Sequence, residues 1–197
     1  MSDEEVQSKA NLLDRIYASS DPTEIANKAI IARYVDATNR GDLDILNHLV
    51  YDDYIEHDPV PGQKPGVEGL KEAYTMFNSP FPDLAFIFDD VICEDDMVFG
   101  RGIISGTHKG EFFGVPATGK KVHWTGTRLF RLRDGKVVEG WVNIDMMSLM
   151  QQMGVVPTPP GPDLSQLPTP PVLTGKASSV EANRALMTRF IEEVWNK

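Results

Sequence analysis

The chain has 197 residues, a hydrophobic content of 41% and a formal net charge of −10 at pH 7. This length fits one domain with extensions, and the acidic balance argues against nucleic acid or an anionic membrane surface, since both require clustered Lys and Arg. The single Cys93 excludes an internal disulfide, the N-terminus has no signal-peptide pattern, and no apolar run reaches membrane-spanning length. We therefore expect a soluble, cytoplasmic protein.

Composition divides the chain into four segments. Residues 1–20 are predicted to be an N-terminal extension, and residues 21–154 a folded domain. Residues 155–175 contain seven of the 14 prolines. Proline fixes φ and lacks a backbone donor, so this segment is predicted to be an extended connector to residues 176–197.

Three helices are predicted in the first half of the domain. The first begins after Asp21, a good N-cap followed by Pro22, and stops near Gly41. The other two are "DLDILNHLV" and "GVEGLKEAYTMFN". Helical spacing places these residues on one apolar face of the first helix: Ala26, Ala29, Ile30, Tyr34 and Ala37.

Four β-rich runs follow Pro82. They are "DLAFIFDDVIC", "MVFGRGIISGTH", "KKVHWTGTRLFRLR" and "KVVEGWVNID". The dipeptide Asp134-Gly135 between the last two is a strong hairpin signal. Helices followed by such strands predict an α+β fold with a curved antiparallel sheet packed on N-terminal helices. Five glycines inside the strands fit bends or bulges of that sheet: Gly100, Gly102, Gly106, Gly126 and Gly140.

The end of the last strand carries a single carboxylate. Period two places Trp141, Asn143 and Asp145 on one face, with Val142 and Ile144 on the other. Both faces carry apolar groups, so alternation does not show which one lines a pocket. Asp145 can cap the helix that follows, "MMSLMQQM". If it is instead buried among apolar side chains, desolvation would raise its pKa and make it a better base.

Several stretches of the chain together suggest a family. They are "NRGDLDILNHLVYDDYIEHDP", "FPDL", "GTHKGEFFGVPATGKKV", "RLRDGKVVEGW", an Asp four residues after Trp141, and a closing "QQMG". In this order they resemble the SnoaL-like polyketide cyclases of the nuclear-transport-factor-2-like superfamily, over roughly residues 26–154. The resemblance implies a cone-shaped α+β barrel in which helices close a curved sheet around an apolar pocket.

The resemblance also implies an activity. It suggests a cofactor-independent cyclase, or a related lyase or isomerase, acting on a carbonyl-rich, polyketide-like molecule. Asp145 matches the family's acid/base for an aldol ring closure, with His108 and His57 as candidates to polarise carbonyls. Such chemistry needs a base, an enolate stabiliser and a pocket, so no cofactor and no metal are expected. The candidate substrate-binding residues are Trp141, His123, Trp124, Asn143, Met146 and Phe112.

Other functions remain open from the sequence. An epoxide hydrolase or allylic isomerase on the same fold could use Glu139 or Asn143 to orient water near Asp145. A non-catalytic ligand-binding or association module would fill its own pocket, or would turn Asp145 outward as a helix cap. No histidines show the spacing of a metal-binding helix.

The resemblance further implies a homodimer formed through the outer face of the sheet. In addition, residues 182–197 repeat residues 26–41, with identical Ala, Asn, Ala and Arg at matching positions. The repeat predicts a docked helix over residues 180–195. The connector can reach either its own domain or a partner's, and the partner is favoured because the chain's own first-helix position is already filled. Its predicted buried residues are Leu186, Phe190 and Val194.

Overall fold

The protein is described from a computed structural model. The structure describes residues 21–157 together with Ala185 and Thr188. The first of these ranges contains four α-helices and five strands, with a 3₁₀ turn at Leu43–Ile45 before the second helix. They are α1 (Pro22–Asn39), α2 (Leu46–Leu49), β1 (Val50–Glu56), α3 (Gly66–Asn78), β2 (Ala85–Glu94), β3 (Met97–Thr107), β4 (Lys121–Arg133), β5 (Lys136–Ile144) and α4 (Met146–Met153).

The five strands form one sheet in the order β1-β5-β4-β3-β2. Strands β2 to β5 pair antiparallel, as predicted, and β1 pairs parallel with β5. Register shifts in β2 and in the β4–β5 pair bend the sheet, because a bulge increases local twist. The result is a curved, unclosed mixed sheet with helices on its concave side, the cone-shaped α+β fold expected from the sequence.

Two local predictions are confirmed. The Asp21 carboxylate accepts hydrogen bonds from the backbone N–H groups of Thr23 and Glu24, so α1 begins where its cap predicted. Asp134 and Gly135 have φ values of 50° and 76°, as a two-residue hairpin turn requires.

The buried face of α1 differs from the predicted one. Ala26 is exposed, whereas Asn27 and Ile31 are buried. The amide Nδ2 of Asn27 donates to the backbone carbonyl of Asp95, at the turn between β2 and β3, at 3.0 Å. This polar contact fixes the rotation of α1 on the sheet, and apolar spacing alone could not reveal it.

The interior contains two apolar clusters. One packs α1 and α3 on the sheet and includes Tyr34, Leu70 and Phe130. The other lies under the loop between β3 and β4 and under α4, and includes Phe81 and Trp124. Side chains from both clusters meet around the cavity described below.

The predictions for the two ends of the chain fall largely outside the described residues. This applies to residues 1–20, to most of residues 155–175, and to Leu186, Phe190 and Val194. In the repeated segment the structure describes two residues, Ala185 and Thr188, and both are helical. In the part of the chain that the structure describes, no helix is long and apolar enough to cross a membrane.

Candidate active site

A cavity of about 110 Å³ lies between α3 and the concave face of the sheet. Most of its wall is apolar, and the charged and hydroxyl groups in it belong to Glu56, Asp58, Tyr74, Thr127 and Arg128. An apolar pocket with a few polar groups is the usual form of a small-molecule site. Apolar side chains of the wall include Leu70, Phe77, Phe86, Ile104, Val142 and Ile144.

A salt bridge between Glu56 and Arg128 lies in this wall. Arg128 Nη2 lies 2.7 Å from Glu56 Oε2, and the two side chains are 7% (Glu56) and 9% (Arg128) exposed. The second carboxylate oxygen, Glu56 Oε1, is buried and has no hydrogen-bond partner within residues 21–157. Desolvating such a pair is costly, so a fold seldom retains one for stability alone.

Three tyrosines surround the salt bridge. The Tyr54 hydroxyl donates to Glu56 Oε2 at 2.8 Å and accepts from Arg128 Nη2 at 3.0 Å. The Tyr74 hydroxyl accepts from Arg128 Nη1 and donates to the Tyr34 hydroxyl, both at 3.0 Å. Burial raises the pKa of Tyr34 and of Tyr54 well above the usual tyrosine value, so these hydroxyls stay protonated.

Arg128 is the central cation of this network. Burial by itself would lower its pKa, but the oxygens of the three tyrosines and the carboxylate of Glu56 more than offset this, and the pKa lies well above its ordinary value. Arg128 therefore carries a positive charge beside an apolar cavity. Its guanidinium carbon also lies 5.7 Å from the ring centre of Tyr34, within cation–π distance.

Glu56 and Arg128 were not among the site residues predicted from the sequence. A signal was present for Arg128, which alternates with Gly126 and Phe130 on the buried face of β4. A charged residue on an apolar strand face needs a buried partner. That partner is Glu56 on β1, 72 residues away in sequence, and no local pattern identifies it.

Asp145 occupies the helix-cap position. Its Oδ1 accepts from the backbone N–H of Ser148 at 2.9 Å, and α4 begins at the next residue. The side chain is exposed and lies outside the cavity wall. The burial expected for a catalytic Asp145 is therefore wrong, because the capping bond turns the carboxylate toward the helix terminus.

Four other residues that were predicted to be catalytic or substrate-binding lie on the outer face of the sheet. His57 stacks on Trp141 with ring centres 4.3 Å apart, and its Nε2 lies 3.0 Å from Glu139 Oε2. Asn143 and His123 are exposed on the same side. The prediction that they share a cavity is wrong, since the residues of β5 that line it are the even-numbered Val142 and Ile144.

His108, Phe112 and Met146 belong to the second apolar cluster and its rim. His108 is fully buried, stacks on Phe81, and accepts at Nδ1 from the backbone N–H of Thr118. Phe112 is buried beside Phe81, and Met146 packs against the same cluster. None of the three lines the cavity wall, so the structure does not bring His108 together with His57 or Asp145 at one site.

Trp124 is the predicted site residue that does line the cavity. Because His123 and Trp124 are adjacent on a strand, only one of them can face the cavity, and the structure places Trp124 inside and His123 outside. Its side chain is 2% exposed, and its indole N–H has no acceptor in the described part of the chain. Among the described residues, no three His, Cys, Asp or Glu side chains come together as a metal site would require.

Comparison with known proteins gives the same fold. Residues 28–153 match the sequence model of the family described as SnoaL-like polyketide cyclase. Aklanonic acid methyl ester cyclase DnrD of Streptomyces peucetius is 27% identical over 140 residues, which cover 67% of this chain and 94% of DnrD. The crystal structure of IdmH from Streptomyces antibioticus is 32% identical with a TM-score of 0.60, covering 66% of this chain and 99% of IdmH.

A second solved structure, TsrD from Streptomyces laurentii, is 27% identical with a TM-score of 0.62, covering 70% of this chain and 100% of TsrD.

A curved sheet closed by helices around an apolar cavity defines the nuclear-transport-factor-2-like class of α+β folds. The family match covers more than half of the chain, and the chain belongs to the SnoaL-like polyketide cyclase family.

Proposed function

We propose that the protein catalyses an aldol-type ring closure of a carbonyl-rich, polyketide-like molecule in the cavity, with Glu56 as the acid/base. The observation that supports this is the Glu56 carboxylate in the cavity wall. Arg128 and Tyr54 hold one of its oxygens, and the other has no protein partner in the described residues. A base needs this combination of a fixed carboxylate and a free oxygen.

The reaction needs few groups. A carbon between two carbonyls gives its proton to Glu56 Oε1, and its electron pair is delocalised as an enolate. The enolate carbon then forms a bond to a second carbonyl carbon of the same molecule. The carbonyl π electrons move to oxygen as an alkoxide, which takes the proton back from Glu56. The apolar wall excludes water and folds the chain for attack.

Arg128 and the tyrosines position the base in this proposal. Two donors fix Glu56 Oε2, so the carboxylate cannot rotate freely. Arg128 also places a positive charge near the developing enolate, and such preorganised charge stabilises a transition state in a site of low polarity. In this proposal, Glu56 transfers the proton and Arg128 stabilises the developing negative charge.

The first experiment compares three isosteric variants. Glu56→Gln, Asp145→Asn and Glu139→Gln each remove one carboxylate, at the cavity, at the helix cap and on the outer face. The first substrate is aklanonic acid methyl ester, named in the relative DnrD. We expect Glu56→Gln to lower the rate by about 10²- to 10⁴-fold and the other two to stay near wild type.

The outcome also tests the role that the family resemblance gives to Asp145. Loss of turnover in Asp145→Asn with wild-type turnover in Glu56→Gln would assign the base to Asp145 and contradict our proposal. Thermal unfolding of each variant is measured alongside, because Glu56→Gln leaves Arg128 without its ionic partner.

A second readout separates proton removal from ring closure. In D₂O, a working base exchanges the acidic carbon-bound hydrogen of a β-dicarbonyl compound even when no ring forms. We expect wild type to accelerate exchange and Glu56→Gln not to do so. If the wild-type protein binds the compound but does not accelerate its exchange, the proposed enzymatic activity is contradicted and the protein is a ligand-binding module.

A further inference from the structure

The indole N–H of Trp124 is a buried donor with no acceptor. Its side chain is 2% exposed and lies in the cavity wall. No described residue accepts a hydrogen bond from its Nε1. Buried tryptophans usually find a partner for this group, and an unmade hydrogen bond in an apolar setting is unfavourable. The position of Trp124 therefore needs an explanation beyond packing.

The neighbours of Trp124 cannot supply an acceptor. Phe81 lies 5.6 Å away, centre to centre, and Ile104 is its direct cross-strand partner on β3. The next inward-facing residue on β4 is Gly126, which has no side chain. These three neighbours offer no side-chain acceptor, so we infer that an occupant of the cavity lined by Trp124 supplies it.

The chemistry of the cavity limits what that occupant can be. A single neutral donor among apolar groups suits a neutral acceptor such as a carbonyl oxygen, because one N–H cannot compensate the desolvation of an anion. Trp124 and the charged residue Arg128 are four positions apart on β4, or about 13 Å between Cα atoms.

We propose that Trp124 is a specificity-determining residue, whose indole N–H binds a carbonyl oxygen of a largely apolar ligand. This oxygen lies toward the second apolar cluster, away from Arg128 and Glu56. The inference rests on the proposed function in that it assigns the same cavity to the substrate. It concerns recognition, and the proton transfer by Glu56 is a separate step.

The test uses two small probes that differ in one carbonyl oxygen, 1-tetralone and tetralin. Both are two-ring, largely apolar molecules, and neither needs to react. We expect Trp124→Phe to weaken 1-tetralone binding by about five- to tenfold, the value of one hydrogen bond, and to leave tetralin binding unchanged. Trp141→Phe, on the outer face, is the matched control and should change neither.

A measurement on the wild-type chain covers the case in which Trp124→Phe does not fold. The protein has three tryptophans, so its ¹H–¹⁵N spectrum has three indole signals, and Trp141→Phe helps assign them. The Trp124 signal should move downfield with 1-tetralone and stay in place with tetralin. Equal weakening of both probes in Trp124→Phe, an unmoved Trp124 signal, or no binding of 1-tetralone at millimolar concentration would overturn the inference.

These outcomes are independent of the proposed catalysis. Both probes report binding without turnover, so a failed exchange assay leaves the Trp124 result intact. Conversely, if turnover is normal but Trp124→Phe weakens 1-tetralone and tetralin binding equally, this inference is wrong and the function assigned to Glu56 stands.

Discussion

The hydroxyl of Tyr54 occupies the space in which residue 140 would otherwise place a side chain. A Cβ built on Gly140 overlaps that oxygen. Because Gly140 on β5 has no side chain, the Tyr54 hydroxyl can reach both Glu56 and Arg128. Gly140 thus contributes to the candidate site without lining the cavity.

We expect Gly140→Ala to destabilise the protein and displace Tyr54. Overpacking of this kind lowers the free energy of unfolding by about 1 to 3 kcal/mol. Urea unfolding gives the stability, and the exchange assay gives the effect on the base. The matched comparison is Gly140→Ala in a Tyr54→Phe background, where the overlapping oxygen is gone. If Gly140→Ala lowers the free energy of unfolding as much in the Tyr54→Phe background as in wild type, overlap with the hydroxyl is not the cause of the destabilisation.

A second prediction concerns the helix cap at Asp145. Asn caps a helix about as well as Asp, so Asp145→Asn should leave the unfolding free energy almost unchanged. Asp145→Ala removes the bond to the Ser148 N–H and should cost about 1 kcal/mol. Thermal unfolding of both variants measures this difference. Equal stability of Ala and Asn would show that the cap contributes nothing.

Local patterns of the sequence predicted most of the fold. Helix α3 (Gly66–Asn78) matches the predicted segment because Pro65 immediately precedes it and its apolar residues follow helical spacing. The hairpin at Asp134 and Gly135 follows from backbone preference alone. Strand β1 was predicted only in part, as a short extended piece "DYIEHDPV", and its parallel pairing with β5 has no hairpin turn that a sequence pattern could reveal.

The candidate site was less predictable, because its contacts join distant parts of the chain. The glycines of the strands were attributed to bends, whereas Gly100 makes room for the ring of Phe88 and Gly140 for a tyrosine hydroxyl. Asp145 lies at a junction between a strand and a helix, where period two no longer tells where a side chain points. The family resemblance placed it in a pocket, and the capping geometry places it at the surface.

Asp83 gives a prediction for acid stability. Hydrogen bonds from the side chain and backbone of Thr107 lower the pKa of its carboxyl below the ordinary value of 3.8. The folded state therefore favours the ionised form. Its contribution is fully present above the unfolded pKa and is lost as the pH falls through the lower, folded pKa.

We expect Asp83→Asn to be less stable than wild type at neutral pH, with a difference that shrinks below about pH 4 as wild-type Asp83 takes up a proton. Unfolding curves in urea at several pH values measure it. Asp53→Asn, at an exposed position on β1, is the control. A constant difference between Asp83→Asn and wild type at every pH would mean that the carboxylate charge plays no part.

The outer face of the sheet carries a row of apolar side chains. Cross-strand pairs join four apolar residues in one row across β2 to β5, in the order Ile92, Phe99, Leu129 and Trp141. Ile92 is 62% exposed, and the other three are half-buried. A continuous apolar row on a solvent-facing sheet is a typical protein contact surface.

We predict that the protein is a dimer at micromolar concentration and that Leu129→Glu makes it a monomer, because the charge would lie in the middle of the apolar row. Sedimentation equilibrium gives the mass of both. The control is Met147→Glu, which adds the same charge to an exposed position on α4 that is 58% accessible, and it should remain dimeric. A monomeric wild type would refute the dimer. A dimer that survives Leu129→Glu but not Met147→Glu would place the contact near α4 instead of on the outer face of the sheet.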